Sequence, residues 1–188
     1  MAKERAVTVP TPFDQALPAP RIADESIQLV DARNRPCGSA SRALMRRFHF
    51  WHRATYVVVR NARGELCVQR RTLTKEVFPG ALDLAAGGVV GAGEAVHVAA
   101  RRELAEELGI RGVPLHHALE FMHDQGGNHI FGSAFVVDYD GPLILQAEEV
   151  AEAFWAPLGQ ALAMAEATPD TRQAVEALVR EGWLAAPE

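Results

Sequence analysis

Apolar and polar positions along the chain follow two rhythms, a period of two in several short runs and helical spacing in a few longer ones. Ser26-Ile27-Gln28-Leu29-Val30-Asp31 alternates as a short strand does, and Asn34-Arg35-Pro36 reads as the turn after it. Arg42 to Phe48 is expected to form a short basic helix. Ala54 to Val59 and Leu66 to Gln69 read as the two arms of a hairpin turning at Asn61-Ala62-Arg63-Gly64. From Arg70 to Gly88 no period is legible, and the stretch ends in Gly87-Gly88. Ala95 to Leu108 is the strongest helix, rich in alanine, leucine and glutamate, with Gly109 placed to stop it. Two strands follow, Leu115 to Met122 and Phe131 to Val137, around a loop at Asp124-Gln125-Gly126-Gly127-Asn128. Val150 to Trp155 reads as a last strand. Leu158 to Ala167 and Asp170 to Arg180 read as terminal helices, the second following Thr168-Pro169. Strands interleaved with single helices predict a mixed sheet covered by helices, an α/β fold.

Residues 1–25 stand apart. Four of the eleven prolines fall before residue 24 and no periodicity is present, so an N-terminal arm, expected to be mobile, precedes a domain at 26–188. The arm offers a means of packing on a second copy in a homodimer, which the sequence leaves open.

Composition narrows the function. The chain has 188 residues, 48% hydrophobic and 23% charged, enough to bury a core in one domain. A net charge of -5 argues against a broad electrostatic grip on nucleic acid, so no nucleic-acid partner is expected. It leaves room for a local basic pocket holding a small anion. Cys37 and Cys67 lie far apart without a CxxC, which fits a reducing cytoplasm better than a disulfide framework or a cysteine zinc site. No secretory signal is legible and no apolar run approaches the roughly 18 residues of a membrane span, so a cytoplasmic protein with no membrane partner is expected.

The chemistry is concentrated between Gly88 and Ile110. Glu103, Glu106 and Glu107 fall at i, i+3 and i+4, so their carboxylates crowd one side of a helix and repel one another. A hard divalent cation such as Mg²⁺ or Mn²⁺ removes that objection, because carboxylate oxygens are the donors it prefers. A solvated acidic helix face is the alternative. Its neighbours favour the cation: Gly87-Gly88 lets the backbone turn tightly, Glu94 suits the positive end of a helix, and Arg102, eight residues on, can pair with Glu94. Leu104 and Leu108 anchor the helix in a core.

Residues 88–110 resemble the Nudix box, Gly-x5-Glu-x7-Arg-Glu-(aliphatic)-x-Glu-Glu-x-Gly-(aliphatic), at all nine specified positions of a 23-residue frame. The resemblance implies an α/β/α sandwich with a mixed sheet, the box forming a loop–helix–loop, and metal-dependent hydrolysis of a diphosphate linkage in a small nucleoside-diphosphate-X or related substrate. It implies Glu103, Glu106 and Glu107 as metal ligands with a backbone carbonyl at Gly88, and Glu103 as the group that orients or deprotonates water, with Glu107 beside it in the catalytic set. Glu94 and Arg102 match the family's structural ion pair. Some relatives carry the base in a later loop, which brings in Glu148 and Glu149. Arg70, Arg71 and Lys75 lie just upstream and are expected to rim the substrate site. His52 and Arg53 are further candidates for phosphate contact.

A second likeness concerns the branch of the family. Asp31-x4-Pro36-x-Gly38, His52-Arg53-Ala54, Gln69-Arg70-Arg71 and Lys75-x3-Pro79-Gly80 are similar to the isopentenyl-diphosphate isomerase-like subgroup. That isomerase needs a protonating cysteine just before its box; here the place falls on Gly87, and Cys67 comes some twenty residues earlier. The box is complete, so hydrolysis is the preferred reading, with an isomerase and a non-catalytic diphosphate-ligand sensor as alternatives. His116, His117, His123 and His129 raise a second metal site as an alternative, against which adjacent residues of a strand face opposite ways. Trp155 reads as core. The flanking group of the substrate is left to loops near residues 70–80, 124–128 and 140–150.

Overall fold

A computed structural model describes residues 25–185; apart from Glu25, the arm expected at 1–25 lies outside the described residues. The elements in chain order are β1 (Ser26–Val30), β2 (Pro36–Ser41), α1 (Arg42–Arg47), β3 (His52–Arg60), β4 (Leu66–Arg71), β5 (Leu82–Asp83), α2 (Val96–Leu108), β6 (His116–Gln125), β7 (Asn128–Asp138), β8 (Val150–Ala156), α3 (Leu158–Ala163) and α4 (Pro169–Arg180).

Alternation along β3 sorts its side chains into two cores, one on each face of the sheet. Val57 and Val59 point to one face and pack with Cys67, Phe135 and Val137 under Ala100, Leu104 and Leu108 of α2. Ala54, Tyr56 and Val58 point to the other and pack with Val68, Ala134 and Val136 against Ala161, Ala174, Val175 and Leu178 of α3 and α4. Helices on both faces of a mixed sheet make the expected α/β/α sandwich.

The ladder itself differs from the expected hairpin. β3 and β4 meet only at Arg60 and Leu66, beside their turn, and then part. β3 runs parallel to β7 from His52↔Ile130 to Arg60↔Asp138, while β4 pairs antiparallel with β8 and β5. Residues 82–91 bridge the two halves. They pair first with β4, at Gln69↔Asp83, then with β3, at Val57↔Ala86 and Ala54↔Val89. The second attachment is dense: Val57 N–H donates to Ala86 O (2.6 Å), Ala86 N–H to Val57 O (3.0 Å), Thr55 N–H to Gly88 O (2.9 Å) and Val90 N–H to Arg53 O (2.9 Å). A Cβ on Gly87 would lie 2.8 Å from the Thr55 carbonyl carbon and closer still to its oxygen. Only glycine lets the segment lie this close to β3.

This seam sets the start of α2 beside the sheet, and Gly109 ends the helix in the left-handed region with φ 70, its N–H bonded to Leu104 O. β6 and β7 run longer than their apolar cores suggest and are joined by Gly126-Gly127 alone, both at positive φ (61 and 81), in place of the longer loop expected at 124–128. α3 ends at Ala163, short of the expected Ala167.

Candidate active site

The site lies where α2 faces the 86–91 seam. Helical spacing puts Glu103 and Glu107 one turn apart on the inner side of α2, where both are buried, and leaves Glu106 at the surface. Glu107 Oε2 accepts from Gly87 N–H at 3.1 Å and from Gln69 Nε2 at 3.3 Å. Glu103 lies against Gly88, where even a Cβ would come to 2.5 Å from its Oε1. Arg102 gathers three carboxylates, one of them the buried Glu103. It bonds Glu94 through Nε (2.9 Å) and Nη2 (3.1 Å), Glu103 Oε1 at 2.6 Å and Glu106 Oε2 at 3.2 Å. Glu94 also accepts from Gly91 N–H at 3.0 Å. Partial burial opposes its ionisation, yet Arg102 and this N–H hold it below the ordinary carboxylate range.

The two inner acids are held the other way. Burial pushes the Glu107 carboxyl well above its usual range; the charges of Glu103, Asp83 and Glu149 add to this and Lys75 opposes it. Burial raises Glu103 as well, Arg102 pulling it back and Glu106 and Glu149 pushing it up. The fold therefore sets two carboxyls in low dielectric with too little positive charge to ionise both comfortably. Hard oxygen donors in that state suit a divalent cation. As the side chains stand, no three His, Cys, Asp or Glu side chains among the described residues converge closely enough to grip an ion. The cause is visible: Arg102 draws Glu103 and Glu106 outward while Gln69 and Gly87 hold Glu107. Rotation of carboxylates already adjacent on α2 is what a cation would need, and the donor set fits one.

The other expected site residues fall as follows. Gly88 is at the site, but its carbonyl already accepts from Thr55 N–H at 2.9 Å. Arg71 turns inward to Asp83 (2.6 Å) and to the Val77 and Phe78 carbonyls. Arg70 turns to Glu152 (2.7 Å) and Glu166 (3.0 Å) on the opposite face. Arg53 is bound to Asn34 through Nε (2.8 Å) and Nη2 (2.6 Å). Lys75 pairs with Glu149, and Thr72 N–H and Oγ1 bond the Glu149 and Glu148 carbonyls (both 3.0 Å), so the loop after β4 and the loop before β8 close together over the acids. Glu149 thus comes to the site and Glu148 stays exposed. The histidines do not converge: His123 bonds Gln173, His129 meets Asp124 at 3.2 Å, and His116 and His117 are exposed. His52 is buried and bonds the Phe50 carbonyl at 2.9 Å.

Sequence reasoning missed Gln69 and Asp83. Asp83 accepts from Thr168 Oγ1 at 2.7 Å and adds its field to Glu107. Its signal was a charge inside the apolar run Leu82-Asp83-Leu84-Ala85-Ala86; Gln69 was the polar member of a buried strand.

The NUDIX domain family matches residues 50–178. A Nudix hydrolase of Pseudomonas aeruginosa is 46% identical over 154 residues, 82% of this chain and 91% of that protein. The Nudix hydrolase YfcD of Escherichia coli is 41% identical over 152 residues, 80% of this chain and 84% of its own. Among solved structures, DR0079 from Deinococcus radiodurans matches with a TM-score of 0.71 at 27% identity, covering 81% of this chain and 98% of that one. The chain belongs to the Nudix hydrolase family.

Proposed function

We propose that this protein hydrolyses a diphosphate linkage in a small molecule of the form nucleoside (or other group)–diphosphate–X, using Mg²⁺ or, in its place, Mn²⁺. The observation that carries this is the pair of buried carboxyls, Glu103 and Glu107, set one helical turn apart beside a glycine-lined seam and short of compensating charge. Glu103, Glu106 and Glu107 would hold the cation, joined by the Gly88 carbonyl if it gives up the longer of its two bonds from Thr55, that from Oγ1 at 3.5 Å. A bound divalent ion supplies neutralisation of the diphosphate oxygens and activation of a water.

The chain's own residues do the rest. Glu103, once turned from Arg102 toward the seam, orients the attacking water and takes its proton, and Glu107 fixes the inner edge of the site. Glu149, whose field reaches both acids, is the second candidate for the base. Lys75, paired with it across the two loops, is the cation best placed to change partners to a phosphate. Arg102 and Glu94 clamp the seam to α2. Arg70, Arg71 and Arg53 hold the frame through the partners described above.

Two observations favour hydrolysis over isomerisation. The position where the isomerase-like subgroup carries its cysteine is Gly87, where no side chain fits. Cys67 is buried, and burial together with the Glu107 charge pushes its thiol up to about 12, unsuited to proton transfer at neutral pH. A Mg²⁺-dependent screen of nucleoside triphosphates, nucleotide sugars, dinucleoside polyphosphates and isoprenoid diphosphates should release phosphate, pyrophosphate or a nucleoside monophosphate, and Glu107→Gln should abolish the release. Solvent isotope entering isopentenyl diphosphate without hydrolysis would establish the isomerase instead. Tight binding with no turnover across the panel would establish a sensor.

A further inference from the structure

Glu103 and Glu107 are held by different kinds of donor. Glu103 meets a guanidinium, Arg102, at 2.6 Å. Glu107 meets only neutral donors, the Gly87 N–H at 3.1 Å and the Gln69 amide at 3.3 Å, and both reach the same oxygen, Oε2. Among the described residues Oε1 of Glu107 accepts no hydrogen bond.

Strand alternation explains why an amide stands there. Cys67, Gln69 and Arg71 share the face of β4 turned toward α2. Cys67 packs in the core under Leu104 and Leu108, and Arg71 is drawn off to Asp83 at 2.6 Å. Gln69, 2% exposed, is therefore the β4 side chain that reaches the inner acid. A lysine or arginine at 69 would neutralise Glu107 and compete with any cation. An apolar residue would leave the carboxylate free to turn. A neutral amide fixes the carboxylate while leaving its charge available, as partners behind a metal ligand do.

We propose that Gln69 is a positioning residue: with the Gly87 N–H it commits Oε2 of Glu107 to the protein and presents Oε1 to a divalent cation. This rests on the reading that Glu107 is a ligand of that cation.

The test is Mn²⁺ binding to the full-length protein without substrate, followed by electron paramagnetic resonance of the free ion, for wild type, Gln69→Leu, Gln69→Met and Glu107→Gln. Gln69→Leu and Gln69→Met should bind Mn²⁺ roughly 10–100-fold more weakly, the usual loss when a partner behind a ligand is removed. In turnover, the Mn²⁺ concentration for half-activation should rise by a similar factor. kcat at saturating Mn²⁺ should recover, and substrate KM should stay near wild type. A merely structural glutamine would lower the melting temperature and leave Mn²⁺ affinity unmoved, which overturns the proposal. The two variants differ in shape, so a folded example is secured if either packs. If Glu107→Gln loses Mn²⁺ while a folded Gln69 variant keeps it, the positioning role alone fails. If Glu107→Gln itself binds as wild type does, the ligand reading fails with it.

Discussion

Gly87 and Gly88 are neighbours in sequence, yet alanine at each should produce a different failure. At Gly87 the new Cβ would meet backbone, 2.8 Å from the Thr55 carbonyl carbon and 3.3 Å from Tyr56 Cα. Neither atom can rotate away, so the 86–90 segment must lift from β3. Thr55 N–H to Gly88 O and the two bonds between Val57 and Ala86 are the first to stretch. Losing two of these at about 1 kcal/mol each, with overpacking of about 1–3 kcal/mol, gives a loss of roughly 3–5 kcal/mol. For a chain of this size that lowers the melting temperature by about 6–20 °C. At Gly88 the obstacle is the end of a side chain, Glu103 Oε1 at 2.5 Å. Glu103 can swing, so Gly88→Ala should cost only about 1–2 kcal/mol while weakening Mn²⁺ binding at least tenfold. Thermal denaturation by circular dichroism and Mn²⁺ titration of both variants make the comparison. A Gly87→Ala protein melting within 2 °C of wild type (roughly 1 kcal/mol or less) would refute the seam, and undiminished Mn²⁺ binding by Gly88→Ala would refute the placement of Glu103.

Three further outcomes follow from the same geometry. Burial raises the carboxyls of Glu103 and Glu107 above their unfolded values, so the folded state binds protons more tightly. In EDTA, the contribution of these two groups to stability should therefore be fully present below the unfolded carboxylate value near 4.3 and be lost as pH rises through the raised values; the difference in melting between wild type and Glu107→Gln from pH 4 to 8.5 reads it, saturating Mg²⁺ should reverse it, and a difference that does not turn against wild type as pH rises would contradict it. Of the two thiols, exposed Cys37 should react with a disulfide reagent at pH 8 and buried Cys67, held up to about 12, should not; two fast-reacting thiols in the native protein would show that β4 is not packed as described. Arg102→Ala strands Glu94 and Glu103 together and should cost about 2–3 kcal/mol by urea denaturation, with Arg102→Lys intermediate because the forked contact with Glu94 is lost; a change below about 0.5 kcal/mol, the level of an ordinary surface substitution, would contradict the clamp.

What was legible in the sequence was whatever local pattern determines. α2 announced itself through composition and Gly109, and β1, β3, β7 and β8 through alternation or unbroken β-branched runs. β2 was missed because Pro-Cys-Gly-Ser-Ala-Ser carries no apolar rhythm: it is largely exposed and, among the described strands, pairs with β1 alone. The turn after β3 was read correctly and its ladder was not, since β3 takes its partner from β7, whose first residue lies 76 positions after His52. The seam was opaque because residues 82–91 change partners after a two-residue strand and never repeat a pattern. At the site, the glutamates were visible as a motif, while the basic rim was read without its partners. Glu152, Glu166, Asp83 and Glu149 are remote in sequence, and only the fold shows that Arg70, Arg71 and Lys75 are already engaged by them. No helix among the described residues is long and apolar enough to cross a membrane.

The most direct test of the central claim is where a cation goes. In crystals of the protein soaked with Mn²⁺, the anomalous difference map should show a peak within bonding distance of carboxylate oxygens from Glu103 and Glu107, with Glu106 turned in from Arg102 to join them. A well-bound peak elsewhere on the molecule, or a site in which Arg102 still holds Glu103 and Glu106 at saturating Mn²⁺, would contradict it.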